Sequence, residues 1–110
     1  MPRAVEPELS ENERVQALVK AVNAACGDED LMLRFLRDLL SARELQDFAN
    51  RWAAARMLME RSTQMATAKE LGMSTKTVNE VALWVSGSFA TGGYHEVFER
   101  VGGKVPAGRR

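Results

Sequence analysis

The segment TQMATAKELGMSTKTVNEVALWV, residues 63–85, restricts what this chain can fold into more than any other stretch. Ala68 is small enough to let two helices approach closely, Gly72 can supply the positive backbone angle of a tight turn, and Ser74 can cap a following helix. Val78, Val81, Ala82 and Val85 then recur at helical spacing and define an inward face. Thr75, Lys76, Asn79 and Glu80 fall on the outward face, and these side chains can donate to or accept from base edges. The pattern predicts a helix-turn-helix over about 63–85 that reads DNA. A plain αα-hairpin within a bundle uses the same alanine, glycine and serine. Thr67 stands where such motifs usually carry isoleucine or valine, which predicts looser packing of the first helix.

The rest of the chain reads as all-α. Ser10 and Glu13 have the spacing of a capping box, and Val15, Leu18, Val19 and Val22 follow as one stripe before Gly27. Asp28, Glu29 and Asp30 suit the positive end of a second helix bearing Met32, Phe35, Leu36, Leu39 and Leu40. Ser41 and Glu44 form a second capping box, opening a central helix that runs to about Arg61 with Leu45, Phe48, Ala49, Trp52, Ala55 and Met59. Met57 and Leu58 widen its apolar surface beyond one stripe, so this helix is expected to meet neighbours on several sides. After the turn-rich SGSFATGG, Tyr94, Val97, Phe98 and Val101 mark a short final helix. The expected layout is a flexible N-terminus over 1–9, a helical domain over 10–101, and a flexible basic tail over 102–110.

At 110 residues the chain supports one small domain, and small size favours association with a second copy. It is 45% hydrophobic and 27% charged, with no apolar run near the roughly 20 residues a membrane helix needs. The opening MPRAVEPELSENE has no hydrophobic signal region, so a cytoplasmic location and no membrane partner are expected. The formal net charge is zero, but its distribution is uneven: residues 1–50 hold six basic and ten acidic side chains, residues 51–80 five and three, and residues 81–110 four and two. Positive charge accompanies the motif at a modest level, so two copies would bind DNA far better than one.

Cys26 and His95 are the only residues of their kinds, without the companions that a disulfide, a zinc site or a catalytic triad requires. Cys26 is expected to be a small buried residue and His95 a surface one. The six methionines, Met57, Met59 and Met65 among them, are expected to pack in the core rather than to bind a ligand. No phosphate loop, metal motif or paired catalytic acids occurs, so neither a cofactor nor an enzymatic reaction is expected. Arg51, Arg56 and Arg61 step about 140° around the central helix each time and cannot form one stripe. Arg61, nearest the motif, is a candidate phosphate contact.

In this order, the segment from about Leu31 to Val101 resembles the tryptophan-repressor superfamily, especially its YerC/YecD-type relatives. The likeness rests on RFLRDLLSARELQDFANRWAAARML, on ATAKELGMSTKTVNEV and on the ending GGYHEVFERV. It implies a six-helix, intertwined homodimer with a helix-turn-helix in each subunit. In the superfamily's namesake an amino-acid co-repressor lies between the central and recognition helices, flanked by two arginines. Arg51 matches one of them, and Leu40 and Ser41 match pocket positions. Glu80 stands in place of the other arginine and Val81 in place of a glycine. An acid there repels a carboxylate or pairs with Arg51, and the valine side chain fills space a flat ring needs. Tryptophan is therefore not expected as co-repressor, and any small-molecule effector is of unknown identity.

The resemblance also places Gln64 and Met65 at the start of the first reader helix, facing DNA with Thr75, Lys76 and Asn79. The amides near Ser74 suit a phosphate, and Glu80 either accepts from cytosine or forms an ion pair. The expected function is that of a homodimeric, sequence-specific transcriptional regulator, a repressor that reads the major groove, whose partner is double-stranded DNA. The alternative is a dimeric protein-interaction module with the same fold and little DNA affinity.

Overall fold

A computed structural model of the chain describes residues 2–103. The part of the expected basic tail from residue 104 onward lies outside them. The described residues form seven helices and no strand: α1 (Pro7–Ser10), α2 (Glu13–Ala24), α3 (Glu29–Leu39), α4 (Ala42–Met59), α5 (Gln64–Leu71), α6 (Thr75–Val85) and α7 (Gly93–Arg100). The architecture is all-helical, as the periodicity requires. The helix beyond the expected six is the single turn α1, which starts inside the 1–9 segment with proline in its first turn.

Most helix starts are written locally. Asp28 caps α3 by accepting from the Leu31 N–H at 3.0 Å. Ser41 and Glu44 form the reciprocal capping box at α4: the Ser41 N–H donates to Glu44 Oε1 at 2.9 Å and the Glu44 N–H to Ser41 Oγ at 3.1 Å. These bonds hold the Glu44 carboxyl below its usual range, the Ser41 backbone N–H being the largest cause. The start of α2 differs from expectation. Its cap is Asn12, whose side chain accepts from the Arg14 and Val15 N–H groups, while Ser10 ends α1. Asparagine is as good a cap as serine, and the turn of α1 displaces the start of α2 by two residues.

The chain divides into two compact units, one over residues 4–47 and the other over residues 48–103 joined by Pro2 and Arg3. In the first unit Ala25 is the one buried residue of the apolar type among those described. Val15, Val22, Met32, Phe35, Leu36, Leu40 and Leu45 are half-buried, and Leu18, Val19, Leu31, Leu33 and Leu39 are exposed. Cys26 is exposed rather than buried. It lies in the turn after α2, where neighbouring Ala25 takes the inward position instead.

The second unit holds the core. Ala54, Ala55 and Met59 of α4, Val81 and Val85 of α6 and Phe98 of α7 form one buried cluster, edged by Trp52, Leu58, Leu71, Met73 and Tyr94. Each large apolar side chain in it contributes about 1.5–3 kcal/mol through burial. Gly103 closes over Phe98, and a Cβ there would sit 2.4 Å from the ring, so the chain can pass only as glycine. The Arg3 N–H donates to the Ala90 carbonyl at 2.7 Å, tying the first residues to the turn before α7. Of the methionines expected in the core, Met59 is buried, but Met65, in the first turn of α5, is 76% exposed.

Candidate nucleic-acid interface

Helices α5 and α6 owe their arrangement to three residues, one before α5 and two between the helices. Thr63 caps α5, accepting from the Ala66 N–H at 3.0 Å. Gly72 ends it at φ +65°, a conformation that disfavours any residue with a Cβ, and the Met73 N–H returns to the Ala68 carbonyl at 3.0 Å. Ser74 then caps α6, accepting from the Thr77 N–H at 3.1 Å, with its hydroxyl 2.8 Å from that of Thr77. Ala68 is buried, as a close helix approach demands.

Thr67 corrects the expectation of looser packing. It is fully buried, and its hydroxyl donates to the Thr63 carbonyl at 2.8 Å, so the polar atom is satisfied inside its own helix and the methyl is left to pack.

On α6 the two faces separate cleanly. Counting about 100° per residue from Thr75, Val78, Val81 and Val85 fall at about 300°, 240° and 280°. All three are buried. Thr75, Asn79, Lys76 and Glu80 fall at about 0°, 40°, 100° and 140°, opposite that face. All four are exposed, as are Gln64, Met65 and Ser74. The outward side of this pair of helices therefore presents two amides, two hydroxyls, a cation, an anion and a flexible thioether. Lys76 and Glu80 are one turn apart yet form no ion pair, since the described ion pairs are Arg34–Asp30 and Arg100–Glu96. Both charges remain available to a partner.

Arg61, a candidate phosphate contact, ends α4 at φ +73° and is the one described non-glycine residue in the left-handed region. The Ser62 N–H bonds back to the Met57 carbonyl at 2.9 Å, which makes this a glycine-type helix stop occupied by arginine. Its Nε is buried without a hydrogen-bond partner.

The residues expected around an effector are differently disposed. Val81 is 4% exposed and belongs to the core cluster, so its side chain occupies the space beside α4 that a glycine would leave. The Arg51 guanidinium lies 5.3 Å over the Phe48 ring. Of the two alternatives for Glu80, the pairing with Arg51 is not among the ion pairs of the described residues: Glu80 is exposed and Arg51 lies over the aromatic ring of its own helix. Arg51 also faces Tyr94, whose hydroxyl titrates above its ordinary range because burial outweighs the lowering effect of that positive charge. Leu40 caps the end of α3, where its carbonyl accepts from the Arg37 guanidinium at 3.1 Å, and Ser41 is committed to the capping box.

One exposed feature went unnoticed in the sequence. Trp84 and Phe89 form a tilted ring pair with centroids 5.1 Å apart, and both are more than a third exposed. As the neighbour of inward-facing Val85, Trp84 is rotated about 100° off the buried face, and that was the available signal.

Among the described residues, an all-helical fold whose two short helices meet at a capped glycine turn, the second with an exposed polar face, defines the helix-turn-helix class. The chain belongs to the Trp repressor family: the model of that family, described as Trp repressor protein, matches residues 13–101. In solved structures it is similar to a TrpR-like protein from Eubacterium eligens ATCC 27750, at 29% identity and a TM-score of 0.79, over 88% of this chain and 96% of that one. No curated protein matches the chain significantly. No helix among the described residues is long and apolar enough to cross a membrane.

Proposed function

We propose that the chain is a cytoplasmic, homodimeric transcriptional regulator, a repressor of the YerC/YecD type, that reads operator DNA without tryptophan. The observation that carries this is the outward row on α6, which sets Thr75, Lys76, Asn79 and Glu80 opposite the buried valines behind a rigidly capped turn. Gln64 and Met65 extend the row from α5, and Arg61 supplies a backbone contact. Two such faces, one per subunit, would enter successive major grooves about 34 Å apart. Dimerisation is supported by the exposed Leu18, Val19, Leu31, Leu33 and Leu39 on α2 and α3, which a second copy would cover. Loss of tryptophan control follows from Val81, which is part of the packed core, and from the acid at Glu80.

A second reading, a dimeric protein-interaction module with little DNA affinity, is favoured by the zero net charge and by Glu80 on the recognition face. Gel-shift titration against random duplexes at low salt decides between them. The regulator retards DNA in the micromolar range or tighter, as even non-specific binders do. No retardation at tens of micromolar leaves the interaction module. Sedimentation equilibrium on the same sample is expected to give twice the 12.2 kDa chain mass.

A further inference from the structure

We infer that Glu80 is a base-selecting residue that demands cytosine at one position of each operator half-site and rejects guanine there. The inference rests on the DNA-reading proposal and deepens it. Glu80 is exposed on α6, about 40° around the helix and about 6 Å along it from Lys76. No described cation holds it in an ion pair, and Lys76, the nearest basic residue on its own face, is also unpaired. An unneutralised carboxylate on a surface that approaches a polyanion is costly unless it meets a donor, so its presence narrows the sequences that can be bound.

The chemistry of the major groove identifies the donor. A carboxylate only accepts hydrogen bonds. Guanine presents two acceptors, N7 and O6, and repels it. Adenine presents the N6 donor, but between its own N7 and the O4 of the paired thymine, so a carboxylate reaching that donor lies against an acceptor on either side. Cytosine presents the N4 donor with only the C5–H edge beyond it, which leaves one side open for the carboxylate to approach. Cytosine is thus the base Glu80 can satisfy. Lys76, a donor one turn earlier, has the opposite preference and suits guanine N7 and O6. With a base-pair rise of about 3.4 Å, the 6 Å between them corresponds to roughly two base pairs along the groove. The half-site is expected to carry a guanine and a cytosine at that separation, on the same or opposite strands.

The test is selection of bound duplexes from a randomised pool by the wild-type protein and by Glu80→Ala and Glu80→Gln, with circular dichroism to verify that each variant is folded. Wild type should enrich cytosine about tenfold over guanine at one position per half-site. Glu80→Ala should accept all four bases there, keep its preferences elsewhere and bind non-cognate DNA more tightly than wild type. Glu80→Gln, which can both donate and accept, should move the preference toward adenine. Identical enrichment at every position in wild type and Glu80→Ala would overturn the assignment while leaving DNA reading intact. Absence of enrichment and of any retardation by wild type would overturn both.

Discussion

Replacing Arg61 by glycine should stabilise the protein while weakening its hold on DNA. Arg61 ends α4 at φ +73°, with the Ser62 N–H returned to the Met57 carbonyl, the geometry of a glycine stop. A residue with a Cβ pays about 1–2 kcal/mol to sit there. Glycine removes that strain but returns about 0.5–1 kcal/mol through its freer unfolded state. The substitution also deletes the buried Nε that has no hydrogen-bond partner, a group whose burial costs about 1 kcal/mol or more, against the loss of packing by the arginine stem. The balance is about 1 kcal/mol of added stability, or a rise of about 4 °C in Tm for a domain of this size. Thermal melts should be run at one fixed protein concentration, because association also moves Tm. Arg61→Ala serves as the control: it deletes the same Nε but keeps the strained angle, so it should melt close to wild type. Both variants should flatten the salt dependence of DNA binding by about one unit if Arg61 meets a phosphate. An Arg61→Gly protein that melts at or below the wild-type temperature would show that the left-handed arginine is not under strain, and the cost assigned to it would be wrong.

Lys76→Ala is expected to weaken operator binding and, where the lysine meets a phosphate, to reduce the salt slope by about one; unchanged affinity in the Lys76→Ala, Asn79→Ala double variant would displace the recognition face. Val81→Ala should cost about 2 kcal/mol in urea denaturation because it opens the core cluster, and L-tryptophan should alter neither the wild-type melting curve nor its DNA affinity. Ser41→Ala should cost about 1 kcal/mol by removing the cap of α4. Because the Glu44 carboxyl is held below its unfolded value, its contribution is present above the ordinary glutamate range and is lost as pH falls through the folded value. Acid denaturation of Glu44→Gln should therefore lack that component, and equal pH dependence in the two proteins would deny the Glu44 charge any role in the cap.

Much of the helix-turn-helix and its exposed face is legible in the sequence. Ser74 and Gly72 act within three or four residues of their own positions, and a helix whose valines recur at 3.6-residue spacing must turn Lys76, Asn79 and Glu80 away from them. The same locality made Asp28 and the Ser41–Glu44 box legible. It failed at Ser10, where two caps compete and the extra turn of α1 selects Asn12. Cys26 and Met65 were misplaced for a related reason: both are apolar by type, but residue type does not say which side of a helix or turn faces inward.

What the amino-acid sequence alone determined is the all-helical class, the helix-turn-helix and its outward polar row, because caps, turns and periodicity are short-range properties of the chain. What only the tertiary structure decided is the state of individual side chains whose partners are distant or absent. Val81 is buried by α4 and α7 residues far away in sequence, Arg51 lies over Phe48 rather than against Glu80, and Arg61 is fixed in a left-handed stop with its Nε unpaired. Burial and charge pairing depend on what the fold brings alongside, and that is why Glu80 emerges on the exposed face of α6 without an ion pair among the described residues.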